Sequence, residues 1–455
     1  MLTYELEKKP GVPLYESLYR CIRADILSGK LTPGQKLPSK RALAQNLEVS
    51  KITVEGAYDQ LLCEGYIRSQ EKVGYFVEAV AQAKRRAPIA PAPEEEETCL
   101  LDLTANACPD FPFTVWSSLQ RQVMLQLSRK LLRPLPNRGL WELRCAIASH
   151  LAGFRGMQVD PENILIGAGT DFLYNLLIQL LGRDKIYAVE EPGYSKIRRI
   201  YAAGGVECTS AQLDAFGVSV ESLGNAQVLH ISPSHHFPTG LVTPMHRRQQ
   251  LLSWAAAAPE RYIIEDDYDS EFRFDAHPMP TMASLDTEGR VIYMNTFSKT
   301  LASSIRISYM VLPPALMARF QRELGFYSCT VPSFEQYTLA RFLEEGHFEK
   351  HINRLRRAYQ QRRNALVTLL RQSGLPLQIL EQDAGLHFLV QVDTRWDDAA
   401  LVAMLARRGI RVAALSSYYH ADTKDRHCLV VNYSGMTAQD LQKLEGMLKQ
   451  WTNIP

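Results

Sequence analysis

The sequence predicts two units of different class. A small helix-rich unit closed by a β-hairpin spans residues 1–80, and a large α/β unit on a mainly parallel sheet, with a smaller C-terminal α+β part, spans residues 100–455. Three observations carry this. Composition breaks sharply at residues 81–99, apolar residues recur at helical spacing before the break, and strand-like runs alternate with helical ones after it. A chain of 455 residues is also too long for one ordinary core.

In the first unit Leu14, Leu18, Ile22 and Ile26 recur every four residues and fall on one helix face. Ser28-Gly29 and Thr32-Pro33-Gly34 end that helix and turn the chain. Ser39 can cap a short helix reaching Leu47, and Ser50 a second one reaching about Glu64, stopped by Gly65. The run YIRSQEKVGYFVEAV reads as two short strands around a turn. Val54, Ala57 and Leu61 then face inward, with Lys51 and Thr53 on the first exposed turn. That order is a winged helix-turn-helix.

Residues 81–99, AQAKRRAPIAPAPEEEETC, pass from a basic cluster through Ala/Pro alternation to four glutamates. Proline and like-charge repulsion both oppose a core, so this stretch is expected to be a tether. Bulk charge decides little. The chain is +2 overall, and its first 80 residues hold 11 Lys+Arg against 10 Asp+Glu, so any anion is met by local patches. Eight dispersed cysteines without CxxC or other metal-ligand spacing argue against zinc and for a reducing cytoplasm. No apolar signal core opens the chain, and no run approaches the roughly 20 apolar residues of a membrane span. A cytoplasmic protein without membrane contact is the expectation.

The segment LYESLYRCIRADILSGKLTPGQKLPSKRALAQNLEVSKITVEGAYDQLLCEGYI, with the wing ending GYFV, is similar along its length to the DNA-binding domain of the GntR regulators. The resemblance implies binding to a double-stranded operator, with Arg41, Ser50, Lys51 and Thr53 at the DNA and Lys72 in the wing. Two departures matter. Lys51 stands where arginine is usual, keeping the charge but losing the fork that pairs with guanine. Lys72 stands where the wing usually has its first glycine.

Beyond residue 100, NILIGAG, KIYAVEEP, AQVLHISPS, RYIIEDDYD and RVIYMNTFSK read as strands separated by helices. Ligands of such sheets sit at the carboxyl ends of the strands, so the polar residues closing these runs are the candidates. Asp266 ends YIIED, Tyr268 follows two residues later, Lys299 closes the next run, and Arg306 comes seven residues after it. A lysine amine can form a Schiff base with an aldehyde cofactor, and an aspartate can hold a pyridine nitrogen protonated. A tyrosine hydroxyl can steady a phenolic oxygen, and an arginine can grip a phosphate. Gly167-Ala168-Gly169-Thr170-Asp171 opens a helix whose N-terminus favours an anion.

Together, IGAGTDFLYNLL, VEEPGY, ISPSHHFPTG, IEDDYDSEFRF and TFSKTLASSIRISYMVLP resemble the fold-type I pyridoxal phosphate enzymes over residues 100–455. With the N-terminal unit they resemble most closely the MocR subgroup of GntR regulators, which joins a winged helix-turn-helix to an aminotransferase-like body. The resemblance implies that Lys299 holds pyridoxal phosphate covalently and that Asp266 pairs with its ring nitrogen. Tyr268 is then the partner of the phenolic oxygen and Tyr194 stacks on the ring. Gly169, Thr170 and Asp171 (through their amides), Thr296 and Arg306 hold the phosphate. A homodimer is implied too, because relatives borrow pocket residues from the second subunit.

Two further positions depart from the relatives. Pro134, in PLPNRG, replaces the tyrosine that reaches the neighbouring subunit's phosphate. Val430, in CLVVNYSG, replaces the arginine that grips a substrate carboxylate, leaving Arg426 as the nearby substitute to test. Losing a charged hydrogen-bond pair forfeits roughly 1.5–3 kcal/mol. The expectation is a transcription regulator responding to a small-molecule effector, pyridoxal phosphate itself or else an amino acid or amine. The alternative, an active aminotransferase with an accessory N-terminal domain, leaves the recognition helix without a use. Residual amino-group transfer stays open.

Overall fold

The structure is a computed structural model, and it describes residues 2–4, 6, 13–79, 101–104, 110–272, 279–380, 385–420 and 424–449. The chain divides into two compact units, Met1–Glu96 and Glu97–Pro455. The expected tether, residues 81–99, lies outside the described residues. No described helix is long and apolar enough to cross a membrane.

In the first unit, α1 (Leu14–Leu27), α2 (Lys40–Asn46) and α3 (Lys51–Cys63) precede an antiparallel hairpin of β1 (Ile67–Gln70) and β2 (Gly74–Val77). The four-residue spacing of α1 buries Leu18, Ile22 and Ile26 against Val54, Ala57, Tyr58 and Leu61 of α3. Ser39 and Ser50 cap α2 and α3, accepting hydrogen bonds from the amides of Ala42 (3.2 Å) and Thr53 (3.1 Å). Gly65, at φ +75°, turns the chain out of α3.

The hairpin turn places Lys72 at φ +59°, in the left-handed region that crowds a β-carbon. This accounts for the glycine usual there. Lys72→Gly is expected to stabilise this unit by about 1 kcal/mol. Calorimetry of the full chain checks it: the transition assigned to the N-terminal unit should move up by a few degrees.

The second unit opens with β3 (Leu101–Asp102), α4 (Phe113–Leu127) and α5 (Trp141–Arg155). Its central sheet follows, through β4 (Ile164–Gly167), α6 (Thr170–Leu181), β5 (Ile186–Glu191), α7 (Ser195–Ala203), β6 (Glu207–Asp214), β7 (Gly217–Val218), β8 (Val228–Ile231), α8 (Met245–Ala256), β9 (Tyr262–Asp266), α9 (Met282–Leu285), β10 (Val291–Thr296) and β11 (Ser308–Val311). The order across the sheet is β4-β11-β10-β9-β8-β5-β6-β7. Pairings from β10 through β9, β8 and β5 to β6 are parallel; β11 and β7 run against their neighbours. Apolar strands such as β4, β8 and β10 are buried along their whole length, because separate apolar clusters cover the sheet's two faces.

After α10 (Pro314–Leu324), α11 (Ser333–Glu344) and the long α12 (His347–Gln372), the chain forms the smaller α+β part. Here β12 (Leu377–Leu380), β13 (His387–Val392), α13 (Asp398–Arg407), β14 (Ile410–Arg411), β15 (Ala413–Ala414), β16 (Cys428–Asn432) and α14 (Ala438–Lys449) follow in order. The antiparallel order is β12-β13-β16-β15, and β14 pairs with β3 at the beginning of the unit. Each strand run read from the sequence is a strand of the central sheet. The edge hairpin β6–β7 and the antiparallel β11 are additions to that reading.

Candidate functional site

On the N-terminal unit, Arg41, Ser50, Lys51 and Lys72 are exposed and Thr53 is half-buried. The Ser50 hydroxyl is engaged in the cap and also lies 2.8 Å from the Thr53 hydroxyl, so these two shape the helix start as well as facing outward. Lys51 opens α3, at the helix end where a recognition helix meets base edges. Sequence reading passed over Ile52, which is 78 % exposed on that turn. An exposed apolar side chain there is suited to a thymine methyl group. It also passed over Lys40, whose Nζ lies 2.9 Å from Glu55 and 3.2 Å from Asp59 and sits over the Tyr75 ring. Lys40 thereby neutralises two acidic residues of the recognition helix and ties α2 to both α3 and the wing.

On the body, the sequence candidates come together at the carboxyl ends of β4, β9 and β10. A cavity of about 270 Å³ is lined by Thr170, Asp171, Tyr194, Asp266, Tyr268, Thr296, Lys299 and Arg306. The ninth candidate, Gly169, caps α6 at φ +86° and lies so close under Arg306 that a β-carbon would fall 2.2 Å from its Nη2. The Asp171 carboxylate receives both Arg306 (3.3 Å) and Lys196 (2.6 Å). Two cations, a glycine-bared backbone and a helix N-terminus therefore converge at one end of the cavity, which is what an anion such as a phosphate requires.

Asp266 lines the same cavity, buried, with Oδ2 receiving the Tyr174 hydroxyl at 2.5 Å and lying 3.5 Å from His230 Nε2. Its Oδ1 has no hydrogen-bond partner among the described residues. A buried carboxylate oxygen is rarely left so unless a ligand completes it. Lys299 is half-buried; burial pulls its ammonium below the ordinary lysine range, with Asp269 and Asp266 partly opposing. A lysine moved toward its neutral form is a better nucleophile. Burial, reinforced by Asp269 and Asp266, raises the Tyr268 phenol well above its ordinary value, keeping it a hydrogen-bond donor. In this structure it donates to the His235 carbonyl at 3.1 Å.

Tyr194 is half exposed and edge-on to Phe237. The Thr296 hydroxyl is buried in a local network, receiving Ser308 Oγ at 2.8 Å and the Ser298 amide at 3.1 Å. Ser298, beside Lys299, lines the cavity with its hydroxyl buried and unpartnered among the described residues. Neither Ser298 nor Tyr174 was picked out by sequence reading. The only available signal was their place in the TFSK and TDFLY segments.

The two departures resolve differently. Val430 is buried with Leu389 and Cys428, behind Phe237 and Tyr418. Arg426 does not replace the missing arginine in the cavity. It lines a separate space of about 360 Å³ with Asp214, its guanidinium 4.5 Å above the Tyr419 ring. Pro134 is exposed.

Residues 14–77 match the family described as bacterial regulatory proteins, gntR family, and residues 98–446 match aminotransferase class I and II. The chain is 36 % identical over 453 residues to the HTH-type transcriptional regulator YhdI of Bacillus subtilis, covering 97 % of this chain and 96 % of that one. It is 32 % identical over 402 residues to the HTH-type pyridoxine biosynthesis transcriptional regulator PdxR of Corynebacterium glutamicum, covering 88 % and 87 %. Among solved structures, kynurenine aminotransferase of Pyrococcus horikoshii superposes with a TM-score of 0.66 at 25 % identity, over 77 % of this chain and 89 % of that one.

Proposed function

The chain belongs to the GntR-family transcription regulators whose body is an aminotransferase class I and II domain, the MocR subgroup, and on that footing we propose that occupancy of its cofactor pocket is the signal that sets operator binding. The protein is a DNA-binding transcription regulator, and its body is of the pyridoxal phosphate-dependent fold. The observation that carries the proposal is the unpartnered, buried Oδ1 of Asp266 in the same cavity as Lys299 and the Gly169–Arg306 cradle. Each is a group that pyridoxal phosphate would complete: a ring nitrogen, an aldehyde and a phosphate.

When bound, pyridoxal phosphate supplies an aldehyde that an amine can hold covalently and a ring that withdraws electrons once its nitrogen is protonated. Lys299 provides the amine. Asp266 keeps the proton at the ring nitrogen, while Tyr174 holds the carboxylate in place through Oδ2. Tyr268 donates to the phenolic oxygen and Tyr194 closes on the ring. The amides of Gly169, Thr170 and Asp171, with Thr296 and Arg306, bind the phosphate. At the DNA, Arg41, Lys51 and Lys72 meet phosphates and base edges, with Ser50 and Thr53 at the helix start.

Two sequence departures support occupancy as the signal. Val430 puts a buried apolar side chain where relatives carry the arginine that grips an amino acid's carboxylate. Pro134 removes a phosphate contact from the second subunit, which loosens the cofactor so that occupancy follows its concentration. A relative of 32 % identity is named for regulation of pyridoxine biosynthesis. The acting form is a homodimer, supported by exposed apolar residues on the body, among them Phe113, Leu125, Leu132 and the stacked pair Phe326 and Tyr327. Its compartment is the cytoplasm, where the operator is.

The test is operator affinity of the full chain, stripped of cofactor and then reloaded with pyridoxal phosphate. A tenfold change is expected, corresponding to about 1.4 kcal/mol. Equal affinity in both states, with a clear response to one amino acid, would replace cofactor occupancy by an amino-acid signal.

A further inference from the structure

Phe237 lines the cavity that holds Lys299. Three rings meet it edge-on: Tyr194 at 6.1 Å, His387 at 5.0 Å and Tyr418 at 5.1 Å between centroids. Val430, Leu389 and Cys428 pack behind it. This part of the cavity is therefore an aromatic wall on an aliphatic base.

The charges lie elsewhere. Among the described residues lining the cavity the basic side chains are Lys299, Lys196 and Arg306, and the last two are drawn to Asp171 at the α6 end. Of the imidazoles near Phe237, His235 already faces the Asp269 carboxylate at 2.7 Å. Burial, assisted by His235, holds His387 well below its ordinary pKa, and its Nε2 donates to the Pro238 carbonyl at 2.9 Å. Burial likewise lowers His236 to about 3. Burial therefore disfavours a charge on both rings. A carboxylate seated against Phe237 would lose its water and gain no cation, whereas apolar surface seated there would gain from burial.

We propose that the same pocket accepts a second input, a primary amine that bears an apolar or aromatic group and no carboxylate beside the amine, and that Phe237 is the residue selecting it. This rests on the reading of the pocket as a cofactor site. The amine reaches the cofactor by exchange with Lys299. Its nitrogen bonds to the aldehyde-derived carbon as that carbon's bond to Nζ breaks, and its two protons pass to Nζ, which leaves as the free amine. A neighbouring cavity of about 470 Å³ shares Glu190, Tyr194 and Ile197 with the pocket, and Tyr418 and Tyr419 line it, which leaves room for an apolar tail. Of its two arginines, Arg198 is bonded to Ser210 at 2.8 Å and Arg199 is exposed at the surface.

The experiment titrates the full, cofactor-loaded chain with two matched pairs: 2-phenylethylamine against L-phenylalanine, and 3-methylbutylamine against L-leucine. The readouts are the visible cofactor band and, independently, operator affinity. Each amine is expected to act at a concentration at least tenfold below that of its amino acid. Phe237→Asn should shrink that ratio, and Phe237→Leu, which keeps the apolar wall, should retain it. An amino acid acting at or below the concentration of its amine overturns the proposal. So does a loaded protein whose band and operator affinity ignore both members of each pair, although the cofactor reading then stands. A loaded wild-type protein with no band that borohydride bleaches overturns the cofactor reading and this proposal with it.

Discussion

Lys299→Ala is expected to abolish the visible band of the loaded protein and with it any covalent product trapped by borohydride. The wild type should show the band, lose it on reduction and retain the cofactor through dialysis. In the variant the cofactor is held by Asp266, Tyr268 and the phosphate contacts alone, and it should wash out. The fold should survive. Lys299 sits in the turn after β10, outside the strand register, and burial already disfavours its charged form. Asp269, which loses a cationic neighbour, keeps its hydrogen bond to His235 Nδ1 at 2.7 Å. Unchanged circular dichroism and thermal midpoint are the controls. One rival amine lies in the same cavity, Lys196, whose Nζ is committed to Asp171 at 2.6 Å. Lys196→Ala should therefore keep the band. A band that survives Lys299→Ala and disappears in Lys196→Ala would move the covalent link to Lys196.

The head was legible in the sequence because its signals are local. Helix caps, a four-residue apolar period and a glycine stop each act within one turn of chain, and Ser39, Ser50 and Gly65 do in the structure what their positions demand. The strands at the centre of the body were legible for a related reason: a strand buried on both faces is largely a continuous apolar run, as residues 291–294 of β10 are. Strand β11 gave no such signal. It is four residues long and lies a short loop beyond Lys299, and its antiparallel direction is fixed by pairing with β4, distant in sequence. Strand β6 is mostly half-exposed and mixes polar with apolar residues, so periodicity says little about it.

Within the pocket, residues that close strands could be found, and residues that reach in from elsewhere could not. Tyr174 lies on α6 among leucines and reads as core. Only the fold brings its hydroxyl 2.5 Å from Asp266. Phe237 lies in SHHFPTG, a segment whose histidines draw the eye as polar candidates. The ring contacts that make it the hub of a wall come from Tyr194 just before α7, from β13 and from the turn holding Tyr418, three segments distant in the chain. Arg426 shows the converse. Nearness in sequence to Val430 suggested a substitute, but a side chain four residues before a strand position need not share its face, and this one lies over Tyr419.

The second large effect is expected at Gly169. Its backbone, at φ +86° and ψ 164°, occupies a region essentially reserved for glycine. A β-carbon there would fall 2.2 Å from Arg306 Nη2 and 2.5 Å from its Cζ. The Arg306 side chain is 46 % exposed and can swing away, so Gly169→Ala should displace the arginine and leave the fold in place. Arg306 is the bidentate-capable cation of the proposed phosphate cradle. Losing a charged hydrogen-bond pair costs about 1.5–3 kcal/mol, so cofactor affinity is expected to fall about 10- to 150-fold. Reconstitution of the stripped protein, followed by the visible band, measures it. A double-mutant cycle then separates the two ways the substitution can act. If the β-carbon works by expelling Arg306, adding Gly169→Ala to Arg306→Ala should cost little more than Arg306→Ala alone. If it works by twisting the α6 amides off the phosphate, the two losses should add. Full additivity would mean that the helix amides and Arg306 hold the phosphate independently and that the β-carbon does not act through the arginine.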